Sequence, residues 1–440
     1  PRGEQVTRVR DEDAGQPDPL DERSQVRLPI PGPSFGLERR FDPSFVATLA
    51  LREKQVQQSY RPIISIHKWF ARRPGSVFRG LMLAEYVDAP LSESYWQPHN
   101  LDATVADPFM GGGTSVFESL RLGMSAVGTD VNPMAYWLVR QAVEPLDMRS
   151  FLKEGEQTWL RIQERVGDLY RTDCTTCGGD AEVKYFLWVK VCSCPNCRAA
   201  VSLFPGYRVT EPVRHPRHVF HCPRCRELRE IEKNASLDCP TCGLDLSIGN
   251  VKRGNARCTS CTHEFRFAEV LDSPPAHHMF GIEYQCRTCY PKVAGRQFKT
   301  PDQGDRDRVS EATSRLDGAS LMLPDDTIPP GDETDRLHRW GYERYRELFT
   351  DRQLLGLGIL LDEIRSVQDD RIREALATVF SDFLRYQNLL CRYDTYALKC
   401  QDIFSVHGYP VGLVACENNL PGIPKVGSGS FVHFVANAAR

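Results

Sequence analysis

No stretch of this chain stays apolar for the ~20 residues that a membrane span requires, so no membrane partner is expected. Strong charge of either sign is lacking as well: the formal net charge is -3 at pH 7. A generally polybasic surface is thereby excluded. Any nucleic-acid contact must come from local patches, such as Arg72, Arg73 and Arg79, or the run from Arg208 to Arg217 with its interleaved histidine. No signal-peptide pattern opens the sequence, which begins at Pro1 and so reads as processed or truncated. A cytoplasmic chain with reduced thiols is the expectation. Residues 1–40 have no hydrophobic periodicity and are rich in Pro, Gly and charge, which predicts an extended arm.

Cysteine is what the chain has in concentration. Thirteen of its sixteen cysteines lie between Cys174 and Cys289. Twelve form Cys-x-x-Cys pairs: Cys174/Cys177, Cys194/Cys197, Cys222/Cys225, Cys239/Cys242, Cys258/Cys261 and Cys286/Cys289. Two sulfurs three positions apart on a tight turn reach one metal ion together, and four thiolates close a tetrahedral zinc site with no place left for water. About three zinc ions are therefore expected. Joining the pairs in chain order is one solution. Another joins Cys239/Cys242 to Cys258/Cys261 and encloses them between Cys222/Cys225 and Cys286/Cys289. Cys192, His221 and His263 stand beside knuckles as spare ligands, whereas Cys391, Cys400 and Cys416 read as small buried apolar residues. Ribbons of this kind either staple a small fold or, decorated with residues such as Arg214, Arg217, Arg224, Lys252, Arg253 and Arg257, read nucleic acid.

The second concentration of chemistry is Asp107-Pro108-Phe109-Met110-Gly111-Gly112-Gly113-Thr114. Ala103 to Ala106 reads as a buried strand, and Ser115 to Leu122 as a helix with Val116, Phe117 and Leu120 on one face. A strand-to-helix turn this short needs positive φ and close backbone approach, which glycine permits. Its amides then face a ligand. Met124 to Thr129 reads as the next strand, so Asp130 stands at its carboxyl end, where α/β sheets place the acid that binds ribose hydroxyls. Asn132 caps a further helix with Pro133 at its first position.

The loop is not spelled Gly-x-Gly-x-x-Gly; it looks like the S-adenosylmethionine loop of amino-methyltransferases. By that resemblance Asp107, Pro108, Phe109, Met110, Gly111, Gly113 and Thr114 surround the methionine end. Asp130 and Val131 take the ribose, and Asn132 and Pro133 border the adenine. Upstream, His67-Lys68-Trp69-Phe70-Ala71-Arg72-Arg73-Pro74 resembles the segment that completes the methionine pocket in DNA amino-methyltransferases, with Lys68, Trp69, Arg73 and Pro74 as its contributions. Lys68, Arg72 or Arg73 would bind the amino-acid carboxylate.

These segments, with Leu51-Arg52-Glu53-Lys54, the cysteine-rich insertion and Asn388-Leu389-Leu390-Cys391-Arg392, resemble the zinc-ribbon-containing adenine-specific DNA methylases of bacterial defence islands. The resemblance implies an α/β fold: a Rossmann-like class I S-adenosylmethionine-dependent methyltransferase core with an inserted multi-zinc-ribbon region and a helical segment. It implies methyl transfer to adenine N6 in DNA, within restriction or anti-phage defence alongside other defence proteins. The expected organisation is an arm (1–40), the cofactor half (41–170), zinc ribbons (171–300), an acidic linker (301–335), and a helical segment returning to the methyltransferase sheet (336–440).

The expected Asp/Asn/Ser-Pro-Pro-aromatic tetrapeptide, which holds the target amine beside a stacking ring, is missing. Ser273-Pro274-Pro275-Ala276 is nearest, and Ala276 has no ring. No Pro-Cys dipeptide occurs, which excludes cytosine-ring methylation through a proline-flanked thiolate. The catalytic motif is therefore expected on a C-terminal continuation or a second polypeptide. An RNA amino-methyltransferase and a non-catalytic zinc-ribbon subunit of a defence complex remain as alternatives.

Overall fold

The computed structural model describes residues 36–56, 66–69, 72–289, 296–406 and 408–439. They form a mixed α/β structure with several small sheets. Two units separate: residues 1–56 with 71–136, and residues 57–70 with 137–440. Most of the expected arm lies outside the described residues; of it, Leu37–Arg40 is a short helix.

In the first unit, Asp42 accepts the Phe45 amide and starts the helix Pro43–Gln55. The buried Glu53 on that helix accepts the amides of Gly75 (3.0 Å) and Ser76 (2.9 Å). It thus satisfies first-turn donors of the helix Gly75–Tyr86, whose own cap residue Pro74 contributes no side-chain bond. Strands β1 (Thr104–Asp107) and β2 (Ser125–Gly128) pair in parallel across the helix Thr114–Arg121. Val46, Leu83, Ala84, Leu91, Tyr95, Ala103, Leu122 and Met124 form the core.

Three expectations are corrected here. β1 is only partly covered rather than buried, and Leu120 is 47 % exposed while Val116 and Phe117 face inward. The wide doubly wound sheet is also not formed among the described residues: β1–β2 is a two-stranded sheet.

The second unit is antiparallel. Its strands are β3 (Arg171–Asp173), β4 (Asp180–Ser193), β5 (Ala200–Ser202), β6 (Arg208–Thr210), β7 (His218–Cys222), β8 (Glu227–Ile231), β9 (Val251–Lys252), β10 (Asn255–Arg257), β11 (Glu264–Arg266), β12 (His277–Gln285), β13 (Gln297–Lys299), β14 (Arg392–Asp394), β15 (Lys399–Gln401) and β16 (Val414–Asn418). The long β4 organises the main sheet, in order β13-β12-β4-β16 with β3 and β5 also on β4. Small sheets β6-β7-β8 and β9-β10-β11 adjoin the knuckles Cys222/Cys225 and Cys258/Cys261, while Cys194/Cys197 joins β4 to β5. Helices Met148–Val166, Asp351–Arg365, Asp370–Phe383 and Phe431–Ala438 pack on the main sheet through Ile162, Leu355, Ile359, Leu376, Phe383 and Phe431.

Among the described residues the segment 336–440 adds no strand to the parallel sheet. Its strand β16 pairs antiparallel with β4, Ala415 opposite Trp188, so the cysteine-bearing block and the C-terminal helices share one sheet and one core. A buried ion pair locks them: Glu417 on β16 accepts Arg352 Nε at 2.7 Å and Trp188 Nε1 at 2.7 Å.

The acidic stretch read as a linker contains a helix, Gln303–Asp317, with a capping box between Asp302 and Asp305. Asp305 is buried against Thr172 (2.7 Å) and Lys299 (3.0 Å), which compensates the charge that made the segment read as solvated. Among the described residues no helix is long and apolar enough to cross a membrane.

Candidate functional site

Five of the six cysteine knuckles are built the same way among the described residues. The residue after the second cysteine turns left-handed and donates its amide back to the first cysteine's carbonyl: Gly178 to Cys174 (2.8 Å), Arg198 to Cys194 (2.9 Å), Arg226 to Cys222 (2.7 Å), Gly243 to Cys239 (2.9 Å) and Thr262 to Cys258 (3.0 Å). Arg198, Arg226 and Thr262 hold this conformation at φ of 64°, 59° and 63°. A β-carbon is disfavoured there, so the knuckle outweighs a local cost of about 1 kcal/mol at each.

The twelve sulfurs gather into three quartets, Cys174/Cys177/Cys286/Cys289, Cys194/Cys197/Cys258/Cys261 and Cys222/Cys225/Cys239/Cys242, each with all four sulfurs within 4.8 Å. Two cross-knuckle Sγ–Sγ contacts in each quartet lie at 3.6 to 3.8 Å, for instance Cys174–Cys289 at 3.8 Å, Cys194–Cys261 at 3.7 Å and Cys222–Cys242 at 3.6 Å. A tetrahedron with ~2.3 Å metal–sulfur bonds has edges of about 3.8 Å, whereas a disulfide is ~2.05 Å. The quartets could hold three metal ions, in agreement with zinc.

Neither pairing drawn from spacing matches the structure. The quartets are concentric in the chain, because the antiparallel β4–β12 ladder sets Gln285 opposite Glu182 and so folds the last knuckle onto the first. Only Cys222/Cys225 with Cys239/Cys242 coincides with the chain-order solution. Polarity within the quartets is uneven. Burial opposes ionisation of Cys174, but the amides of Cys177 and Thr176 outweigh it and bring its thiol down to about 6. Burial pushes Cys289 in the same quartet up to about 12. Cys192 is buried beside its knuckle and bonds the Val201 carbonyl. Cys391, Cys400 and Cys416 are buried as expected, clustered where β14, β15 and β16 meet.

At the glycine loop, Gly111 and Gly113 have φ of 50° and 76°, which accounts for two of its three glycines. Gly128 serves packing instead, since a β-carbon there would lie 2.5 Å from Met110 Sδ. Asp130 Oδ2 accepts the Gly111 amide at 2.8 Å and Oδ1 accepts Asn132 at 2.9 Å. These two bonds hold its carboxyl below the usual carboxylate range. Asp107 accepts the Phe109 amide at 2.9 Å and the Ser115 hydroxyl. Asn132 caps the helix Pro133–Val143 by accepting the Met134 amide at 2.9 Å.

Arg72 and Arg73 join this loop: Arg72 Nη1 donates to the Gly112 carbonyl at 2.8 Å, and Thr114 Oγ1 donates to the Arg73 carbonyl at 3.2 Å. Lys68 and Trp69 belong to the second unit, where the Lys68 amide donates to Asp382 at 2.9 Å and the His67 ring lies 3.1 Å from the Ser381 hydroxyl. Phe70 and Ala71 lie outside the described residues. Pro108, Phe109, Val131, Asn132 and Pro133 are exposed, Phe109 by 79 % and Val131 by 93 %. Sequence reasoning passed over Ser115 and the capping role of Glu53; a hydroxyl two residues beyond the last glycine was the available signal for Ser115.

Family models, curated proteins and solved structures give no match to this chain.

Proposed function

We propose that this chain is the cofactor-binding part of an S-adenosylmethionine-dependent DNA amino-methyltransferase acting on adenine N6, with zinc in its cysteine quartets, in a bacterial restriction-type or anti-phage system. The observation that carries the reading is the Asp130 carboxylate. It stands at the end of β2, is fixed by the amides of Gly111 and Asn132, and is left ionised and open to solvent. A carboxylate oxygen accepts more than one hydrogen bond, so each keeps acceptor capacity for a ribose diol.

Around it, donors and apolar surface fit a nucleoside sulfonium. The first-turn amides of Thr114–Arg121 have no intrahelical acceptors. Arg72, held by Gly112, and Arg73 supply cations for an amino-acid carboxylate, and Asp107 supplies the counter-charge for its ammonium. The exposed Phe109 and Val131 offer apolar faces that a bound adenosine would cover. When bound, S-adenosylmethionine supplies an electrophilic methyl group.

Residues 1–440 contain no Asp-Pro-Pro-aromatic tetrapeptide, so this reading assigns amine positioning to another polypeptide segment. Ser273-Pro274 leads into β12, and the Ser273 hydroxyl is committed to the Gly341 carbonyl at 2.8 Å. Calorimetric titration with S-adenosylmethionine tests the proposal. Binding is expected in the micromolar range, at about -8 kcal/mol. Asp130→Ala should weaken it at least 30-fold with thermal stability retained, and methyl transfer to duplex DNA should be undetectable from this chain alone. Absence of binding heat, or binding untouched by Asp130→Ala, would overturn it.

A further inference from the structure

The three cysteine quartets differ in what their basic side chains do. Around the outer quartet, Arg171 pairs with Asp180, and Arg287 forms a two-pronged bond to Glu182 at 2.7 and 3.0 Å. Near the inner quartet, Arg217 bridges Glu230 and Glu232, each at 2.8 Å, and Arg229 pairs with Glu227. Arg224 and Arg226 at the inner quartet are exposed without an ion pair, and around the middle quartet, Cys194/Cys197/Cys258/Cys261, such cations are gathered on one small sheet. Arg198, Lys252, Arg253 and Arg257 are all exposed, and among the described residues none of their side chains forms an ion pair.

The small sheet β9-β10-β11 sorts these residues onto one side. Its register places Val251, Ala256 and Phe265 in one row and Lys252, Asn255 and Arg266 in the next. Alternation then sends the first row inward, where Ala256 is buried with Cys194, Cys258 and Phe267, and the second row to solvent. Arg257 emerges on the solvent side with Glu264 opposite it, and Arg266 touches Glu269 only at 3.8 Å. At the tip, Arg253 and Gly254 turn left-handed at φ of 50° and 85°, which closes a tight hairpin and projects Arg253 outward. The outward face therefore carries Lys252, Arg253 and Arg257 without an ion pair and Arg266 in a long contact with Glu269, against Glu264, on a ribbon held at the four cysteines of the middle quartet.

We infer that the outward face of β9-β10-β11 on the middle quartet is a docking surface for the phosphate backbone of duplex DNA. Cations that remain unpaired on a rigid scaffold are available to replace condensed counterions, whereas cations already paired with carboxylates are not. The tip of this face, the two-stranded hairpin β9–β10 closed by a two-residue turn, is of the kind that the major groove of a duplex admits. This inference rests on the nucleic-acid half of the function proposed above and is independent of the methyl donor.

The test uses the full zinc-loaded chain and fluorescence anisotropy of a labelled 20-base-pair duplex of arbitrary sequence, titrated across potassium chloride concentration without methyl donor. Four phosphate contacts contribute about 3.6 to the slope of log affinity against log salt. The fourfold variant Lys252→Gln/Arg253→Gln/Arg257→Gln/Arg266→Gln should lose about that much slope and bind at least 30-fold more weakly at low salt. The control Arg217→Gln/Arg287→Gln should stay within threefold of wild type. Zinc content of both variants reports intact ribbons. Equal slopes for wild type and the fourfold variant, equal losses in variant and control, failure of the wild-type chain to bind duplex, or tighter binding to single-stranded RNA would each overturn the inference. The calorimetric result with S-adenosylmethionine separates these outcomes from failure of the cofactor reading.

Discussion

The cysteine-bearing unit and the glycine-loop unit handle chemically demanding residues in opposite ways. In the first, reactive groups are turned on one another: thiols gather in fours, and the buried pairs Lys184–Glu283 and Arg352–Glu417 meet at 2.7 Å each. In the second, Asp130, Phe109 and Val131 are held in place by backbone bonds or chain geometry and left facing outward. Self-satisfied clusters stabilise a fold, whereas groups fixed but unsatisfied are what a ligand can use.

The largest effect expected along that divide is metal removal. A structural zinc site contributes on the order of 10 kcal/mol of apparent binding energy to folding. Stripping the ions with a chelator, or making Cys194→Ser, should collapse the antiparallel sheet signal in circular dichroism, and a colorimetric assay should count three zinc ions per wild-type chain. A chelated chain with unchanged circular dichroism would remove the structural role of the quartets.

Next in size is the buried pair. Glu417→Leu strands the Arg352 guanidinium in the core and should cost about 3–5 kcal/mol in urea unfolding. The double variant Arg352→Met/Glu417→Leu should recover most of it, because the charges then leave together. A double variant as unstable as the single would show that the pair adds net stability.

His277 provides a pH-dependent test. Burial, reinforced by Lys190 Nζ at 3.1 Å from its Nε2, lowers its pKa from 6.5 to about 3. Its folded value lies below its unfolded one, so its contribution is complete above pH 6.5 and is lost as pH falls through about 3. One pH unit inside that window corresponds to ~1.4 kcal/mol. His277→Gln keeps an acceptor for Lys190 but cannot titrate, so it should narrow the stability loss between pH 7 and pH 5 by about 2 kcal/mol relative to wild type. Parallel stability curves for the two proteins would contradict the assignment.

The smallest effect belongs to the loop unit. Gly128→Ala forces a β-carbon against Met110 and Val116, and overpacking of this kind costs about 1–3 kcal/mol. Because Met110 supports the loop from beneath, the variant should weaken S-adenosylmethionine binding more than it lowers the melting temperature. The reverse order would make Gly128 a packing residue only.

Local chemistry was legible in the sequence wherever neighbours in the chain determine it. The knuckles, the left-handed glycines of the loop, and Asn132 capping its helix follow from residues within a few positions of each other. Features decided by distant partners were misread. The acidic segment after Pro301 becomes the helix Gln303–Asp317 because Lys299 and Thr172 receive Asp305, and Leu120 stays exposed although its spacing put it with Val116. The apolar run Val411 to Cys416 reads as a strand and overlaps the observed Val414–Asn418, but its partner β4 is not legible from it.

The sequence by itself determined which atoms can ligate: twelve cysteine sulfurs in six pairs, a carboxylate after a short strand, and a turn that favours glycine. Only the tertiary structure decided which pairs share an ion. That choice depends on antiparallel strand register, and register is set by side-chain packing along β4 and β12 over a hundred residues of chain, which no local spacing encodes.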